Sequence, residues 1–116
     1  MIKTLDEKLN IRALVLDNNP NTYYLSYQGD TKCVIDTKQV ENDILIIPEP
    51  QGECTVEELT TIINCFSKFI FTKYSNINGI LFKTDPNDLL ERIGFKLVSE
   101  DSEYLYKENK QNNKVR

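Results

Sequence analysis

The chain has 116 residues, of which 40% are hydrophobic and 28% are charged, a composition typical of one soluble globular domain. It contains no histidine, which excludes Ser-His-Asp and Cys-His nucleophilic sites and zinc sites with histidine ligands. The cysteines Cys33, Cys54 and Cys65 are odd in number and widely spaced, so we expect reduced thiols and no metal. No apolar segment has membrane-spanning length and no signal-peptide pattern is present, which predicts a cytoplasmic protein without a membrane partner.

The charge is unevenly distributed along the chain. The net charge is −4, and residues 1–58 hold eleven carboxylates against five basic groups. An acidic half of this kind argues against a nucleic-acid partner, because affinity for a phosphate backbone rests on Lys and Arg displacing counterions. Asn, Lys and Ile are abundant and Ala13 is the single alanine, which is typical of a low-GC bacterium or its phage.

Period-two alternation and runs of branched residues predict seven strands. They cover residues 11–16, 22–28, 31–37, 43–47, 79–82, 95–98 and 103–107. Gly29-Asp30 has the chemistry of a two-residue hairpin turn, so the strands on either side should pair antiparallel. Residues 1–10 predict a short helical turn or a frayed lead-in, and residues 38–42 predict a polar connection.

Two helices are predicted between these strands. The long one begins after Thr55, which forms a capping box, T-x-x-E, with Glu58. Its apolar residues recur at helical spacing and form one stripe: Leu59, Ile62, Ile63, Phe66, Phe69 and Ile70. The short helix has Asp85 as its expected N-cap, Pro86 at its first position and Gly94 as its C′ residue.

Together these elements predict an α+β fold, with a mixed, mostly antiparallel sheet of six or seven strands and two helices packed on it. We expect a single domain over residues 1–107. Residues 108–116 (ENKQNNKVR) are low in apolar side chains, so we expect a disordered polar tail there.

Two segments resemble the GNAT superfamily of N-acetyltransferases. IIPEPQGECTVEEL, from Ile46 to Leu59, resembles the family's acetyl-CoA loop, in which a strand ends in Pro-Glu and leads to Q/R-x-x-G-x-G/A. LLERIGFKLV, from Leu89 to Val98, resembles the segment in which a helix ends in Gly-Phe and enters the sixth strand. The order of the elements from residue 22 onward is also that of the family. The resemblance implies an acetyl-CoA site at Ile46, Ile47, Gln51, Gly52, Glu53, Cys54, Thr55 and Val56.

The loop departs from the family pattern in size and charge. Cys54 and Val56 stand where the family has small residues that let the backbone approach the pyrophosphate, and Val56 is bulky and β-branched. A helix N-terminus favours anions, yet the charged residues next to this one in the sequence are all carboxylates. These are Glu49, Glu53, Glu57 and Glu58. At roughly 5–8 Å each of them would disfavour a phosphate by on the order of 1 kcal/mol.

Two further departures concern the chemistry and the acceptor site. Leu90 stands where the family often has a general-acid tyrosine, and a leucine cannot donate a proton. The family also has two helices between its first two strands, which wall the acceptor site. Here only the five residues 17–21 separate the corresponding strands.

The remaining candidates for acid–base chemistry are two carboxylates and two tyrosines. Glu41 and Glu49 flank a central strand, where a GNAT-like enzyme can keep a general base; solvated turn carboxylates are the alternative interpretation. Tyr104 and Tyr106 share one face of the last strand and could act as an acid, or could serve packing alone. Cys54 could also be considered as a reactive thiol, but the sequence places no base next to it.

These observations favour a degenerate, non-catalytic GNAT-like domain that acts as a protein-binding module, with the acidic loop and the open acceptor side as its surfaces. The first alternative is an active acetyl-CoA-dependent N-acyltransferase. The resemblance implies that such an enzyme would hold pantetheine on backbone groups near Ile44–Ile47 and Ile80–Phe82. The second alternative is a small acidic phage-type inhibitor that mimics a nucleic-acid surface.

Overall fold

The structure, a computed structural model, describes residues 2–16 and 19–110. The described strands are β1 (Ile2–Asp6), β2 (Ile11–Leu16), β3 (Asn19–Tyr27), β4 (Asp30–Asp36), β5 (Lys38–Val40), β6 (Ile44–Ile47), β7 (Gly79–Lys83), β8 (Lys96–Leu97) and β9 (Tyr104–Glu108). The helices are α1 (Val56–Lys73) and α2 (Asp88–Arg92), and a 3-10 turn spans Glu41–Asp43.

The described strands form two sheets. The first has the order β1-β2-β3-β4 and is antiparallel throughout. The second has the order β5-β6-β7-β9-β8, in which only β6 and β7 run parallel. The α+β class is confirmed, but the strands number nine in two sheets, against the six or seven predicted in one.

The two sheets separate at a proline-containing bulge. Lys38 pairs with Ile46, and Val34 forms an isolated antiparallel bridge with Gln51. Between these two pairs lie three residues on the β4–β5 side (35–37) and four on the β6 side (47–50). The β6 side of the ladder therefore has one extra residue. Pro48 and Pro50 lie in the longer segment and have no N–H to donate, which ends the pairing. Because of this break, the chain leaves the second sheet and returns to the first.

The core lies between the sheets and one face of α1. The predicted stripe is confirmed: Ile62, Ile63, Phe66 and Ile70 are at most 2% exposed, and Leu59 and Phe69 pack against the same cluster. Phe66 meets Tyr23 of β3 edge to face, with ring centroids 5.0 Å apart. Each such buried side chain contributes roughly 1.5–3 kcal/mol, so this stripe holds α1 on the sheets.

The N-terminal prediction was wrong. Residues 2–6 form β1, an edge strand that pairs antiparallel with β2. Leu5 packs against the core, and the Asp6 carboxylate accepts the Leu9 N–H at 3.2 Å in the turn that follows. Pairing with β2 outweighs the weak helical spacing of Ile2, Leu5 and Leu9, because strand formation depends on neighbours that are distant in sequence. The predicted connection over 38–42 likewise contains β5 and part of the 3-10 turn.

The start of α2 also differs from the prediction. The N-cap is Asn87, whose side-chain oxygen accepts the Leu90 N–H at 2.8 Å, so Asp85 and Pro86 precede the helix. The predicted end is confirmed: Gly94 has φ +102° and its N–H donates to the Glu91 carbonyl at 3.0 Å.

The C-terminal strand runs further than predicted. β9 includes Glu108, and Asn109 is 1% exposed, with its side-chain amide donating to the Ile77 carbonyl at 2.8 Å. The first residues of the predicted tail are therefore ordered by the sheet. The rest of that tail, 111–116, lies outside the described residues.

Candidate functional site

The Gln51 loop, residues 48–55, connects the end of β6 to the start of α1 and lies against β4. The Gln51 carbonyl accepts the Val34 N–H at 2.7 Å, and the Gln51 N–H donates back to the Val34 carbonyl at 3.2 Å. Gly52 has φ +146°, and a Cβ added there would overlap the Lys32 carbonyl oxygen. Glycine is therefore required at this position by contact with β4, a role that involves no ligand.

Three amides of the Gln51 loop and the first turn of α1 are bonded within the protein. Besides Gln51, the capping box is formed as predicted: the Glu58 N–H donates to Thr55 Oγ1 at 3.1 Å, and the Thr55 N–H donates to Glu58 Oε1 at 3.0 Å. Val56, the first residue of α1, is 51% exposed, so its branched side chain lies at the surface next to the loop. The loop is built as a capped strand-to-helix turn.

Lys32 of β4 supplies a positive charge that the sequence interpretation missed. Its Nζ lies 3.3 Å from Glu58 Oε2. The hydrogen bond from the Thr55 backbone, with a smaller contribution from Lys32, lowers the pKa of Glu58. Glu49, Glu53 and Glu57 are exposed. No local signal in the sequence predicts the Lys32–Glu58 pair, because the fold alone brings β4 to the start of α1.

Cys54 is not set up as a nucleophile. Burial, with the carboxylate of Glu58, raises the pKa of the Cys54 thiol, and Lys32 opposes this shift only in part. A reactive cysteine requires a lowered pKa, so the geometry favours the inert interpretation.

β6 and β7 pair closely along the segment where the resemblance implies a pantetheine site. Ile44 to Ile47 pair in parallel register with Gly79 to Phe82, and Ile44 to Ile46 also pair with β5. The parallel pairing ends at Ile47 and Phe82, and the chain then enters the Gln51 loop. Ile46 and Ile47 thus lie inside a formed ladder.

The four acid–base candidates lie in two separate groups. Glu49 follows β6, and Tyr104 pairs with Lys83, so both lie toward the Gln51 loop. Glu41 precedes β6 in the 3-10 turn. The Tyr106 ring covers Gly79 at the start of β7, and its hydroxyl donates to the Asn78 carbonyl at 3.5 Å.

Tyr106 is held as a packing residue in this arrangement. Burial, with a smaller effect of Glu108, raises the pKa of Tyr106, which makes the hydroxyl a poorer acid. Glu49 and Tyr104 lie toward one end of the second sheet, and Glu41 and Tyr106 lie toward the other, so each end holds one carboxylate and one tyrosine.

One face of the second sheet carries neither helix. Alternate residues of β6, β7 and β9 point toward α1 and are buried: Leu45, Ile47, Ile80, Phe82 and Leu105. The residues between them are only partly buried and form what we term the open face: Ile44, Ile46, Leu81, Tyr104 and Tyr106. β2 and β3 pair directly with each other, as their short connection predicts.

The described residues contain neither a cluster suited to a metal ion nor a helix suited to crossing a membrane. These residues contain no group of three or more Cys, Asp or Glu side chains arranged to hold a metal ion. Within the same ranges, neither helix has the length and hydropathy needed to cross a membrane.

The chain is similar to solved structures in fold. It matches the N-terminal domain of a ribosomal-protein-alanine acetyltransferase from Clostridium acetobutylicum ATCC 824 with a TM-score of 0.60 and 12% identity, over 89% of this chain and 94% of that one. It also matches a chain of the AtaT-AtaR complex bound to DNA, with a TM-score of 0.51 and 14% identity, over 97% and 87%. No protein-family model matches the chain, and no curated protein sequence is significantly similar to it.

At these identities the matches establish the fold alone. The strand order, the parallel β6–β7 pair and the capped helix between them agree with the resemblance read from the sequence. The chain has a GNAT-like fold.

Proposed function

We propose that this protein is a GNAT-like scaffold that does not use acetyl-CoA and acts as a protein-binding module. The observation that carries this proposal is the state of the Gln51 loop. The amides of Gln51, Thr55 and Glu58 are bonded within the protein, and Gly52 is closed against β4. These amides are not free to bind a pyrophosphate, which would also have to approach three exposed glutamates, and both features disfavour it.

The open face and the acidic loop are the surfaces that we assign to the partner. Leu81 and Tyr106 lie near the middle of the open face, and partly exposed apolar and aromatic groups are typical of the centre of an interface. Glu49, Glu53 and Glu57 would form a polar rim that attracts a basic surface. The similar AtaT chain occurs in a complex with AtaR, which supports the idea that this fold can serve protein association.

The test compares variants of the two sides of the molecule. Leu81→Glu places a charge in the centre of the open face, whereas Glu91→Lys changes an exposed residue of α2 on the helix side. From a lysate of the source organism, we expect wild type and Glu91→Lys to recover the same stoichiometric protein and Leu81→Glu to lose it. Circular dichroism checks that each variant is folded. Equal recovery by Leu81→Glu, or no stoichiometric partner for wild type, would overturn the proposal.

An acetyl-CoA-dependent N-acyltransferase is the second candidate. It is favoured by the parallel β6–β7 pair, which ends at Ile47 and Phe82 next to the Gln51 loop, and by the name of the similar Clostridium domain. This function predicts acetyl transfer to a peptide amine and saturable acetyl-CoA binding, neither of which a protein-binding module requires.

A further inference from the structure

A cavity of about 910 Å³ lies between the C-terminal half of α1 and the end of β9. It is remote from the Gln51 loop, because Lys68 is twelve residues after the start of α1, which corresponds to about 18 Å along the helix. Consecutive residues of β9 contribute to its wall, so the cavity extends around the end of that strand. Its wall includes Ile44, Leu81 and Tyr106 of the open face, so the cavity adjoins the surface that the proposed function assigns to a partner.

Four lysines line this cavity, and three of them come from α1 and the end of β9. Lys68 comes from α1, while Lys107 and Lys110 come from β9 and the residues just after it. Lys107 is only partly exposed; its Nζ donates to Ser67 Oγ at 3.3 Å and lies 5.7 Å from the centroid of the Phe95 ring. Ser67 itself is fully buried, so Lys107 is anchored against the helix.

The positive charge of this cluster is not neutralised within the described residues. The ion pairs there are Lys32–Glu58 and Lys83–Glu103, and neither involves a cavity lysine. Burial lowers the pKa of Lys107, and the charges of Lys68 and Lys110 lower it further. Lys68 and Lys110 are exposed and Lys107 is partly buried, and like charges this close to a partly buried lysine are unfavourable unless an anion offsets them.

The other charged groups of the cavity leave the cluster positive. Glu108 contributes to the wall, but it alternates with Lys107 along β9 and lies toward Tyr106, whose pKa it raises. Lys96 of β8 adds a further positive charge to the wall. Apolar lining comes from residues such as Phe71, so the cavity combines cations with an apolar surface.

We propose that this cavity binds a small organic anion of the phosphate-monoester class, with its phosphate on Lys68, Lys107 and Lys110 and its apolar part against Phe71. Charge-assisted hydrogen bonds from lysine to phosphate are strong where the group is partly shielded from water. The apolar lining adds affinity in proportion to the area that the ligand covers. The volume accommodates a ligand well above the size of free phosphate.

Phenyl phosphate tests this proposal, with inorganic phosphate and phenol as the matched halves of the probe. In titrations followed by NMR, we expect phenyl phosphate to bind more tightly than either half. Lys68→Met, Lys107→Met and Lys110→Met should each weaken binding by about tenfold, since each removes one contact to a charged group. Lys83→Met, which removes an ion-paired lysine outside the cavity, should leave the affinity unchanged.

A second readout separates site binding from a general loss of structure. An anion beside Lys107 stabilises its charged form, so phenyl phosphate should raise the pKa of Lys107 measured from its ε-carbon signal. Lys107→Arg keeps the charge and should retain most of the affinity. The proposal fails if phenyl phosphate does not bind at millimolar concentration, if Lys83→Met weakens binding as much as the cavity variants, or if the pKa of Lys107 does not respond.

Discussion

Gly52 shows at the level of one residue what the Gln51 loop is built for. Its φ of +146° and the overlap that a Cβ would make with the Lys32 carbonyl both demand glycine. The sequence marks this glycine as part of a cofactor motif, whereas the structure gives it a packing role against β4.

We expect Gly52→Ala to destabilise the fold by about 2 kcal/mol or more, because it combines backbone strain with a steric overlap. Urea denaturation followed by circular dichroism measures the change. Gly29→Ala is the matched control: Gly29 has φ +91°, but open space surrounds the added Cβ, so only the smaller strain cost of about 1 kcal/mol should appear. An equal loss of unfolding free energy in Gly52→Ala and Gly29→Ala would show that contact with β4 does not require glycine.

Asn87 and Asp85 give a second test at the level of the residue. Asn87→Ala removes the acceptor of the Leu90 N–H and should cost about 1 kcal/mol. Asp85→Ala should change the free energy of unfolding by less than about 0.5 kcal/mol, since Asp85 is exposed and precedes the helix. A larger cost for Asp85→Ala would restore the N-cap predicted from the sequence.

At the level of elements, the sequence predicts best what depends on near neighbours in the chain. The Thr55–Glu58 capping box, the α1 stripe and Gly94 each involve residues within a few positions of one another, and all are confirmed. The α2 N-cap is the exception, because Asp85 and Asn87 are both good caps and Pro86 favours the earlier start.

Features that depend on distant segments could not be read from the sequence. β1 forms because β2 offers a pairing edge, and the sheet divides where the bulge at Pro48 and Pro50 meets β4. The Lys32–Glu58 pair and the lysine cavity have the same origin, since each joins side chains from separate elements. The strand-to-helix turn that carries Gln51 to Thr55 was thus predicted from the sequence, while the bonds formed within this turn were not.

At the level of the whole molecule, buried thiol and phenol groups predict how stability changes at alkaline pH. Burial raises the pKa of Cys33 from 9.0 to about 12 and that of Cys65 to about 11, and it raises the pKa of Tyr23 from 10.0 to about 12. A group whose pKa is raised in the folded state contributes its stabilisation in full below the unfolded pKa and loses it as the pH rises through the folded pKa.

The free energy of unfolding should therefore fall as the pH rises above about 9, and this loss should continue toward pH 12. Lys3 and Lys107 act in the opposite direction, because their pKa values are lowered, but they are two groups against five once the raised pKa values of Cys54 and Tyr106 are included. Cys33→Ala removes the most strongly buried thiol, so its stability should decline less steeply over the same range. Urea denaturation at a series of pH values measures how steeply the free energy of unfolding falls with pH in wild type and in Cys33→Ala. Equal slopes for the two proteins would contradict the assignment of part of this loss to the Cys33 thiol.

The central claim is that this GNAT-like fold does not hold acetyl-CoA at the Gln51 loop. The measurement that tests it most directly is calorimetric titration of the purified protein with acetyl-CoA, with CoA as comparison. Lys107→Met is titrated alongside wild type, so that phosphate binding at the lysine cavity is separated from binding at the loop. We predict that any binding of acetyl-CoA to wild type takes place at the lysine cavity and weakens about tenfold in Lys107→Met, with no micromolar binding left. Micromolar or tighter binding that persists in Lys107→Met would contradict the account and favour the acyltransferase.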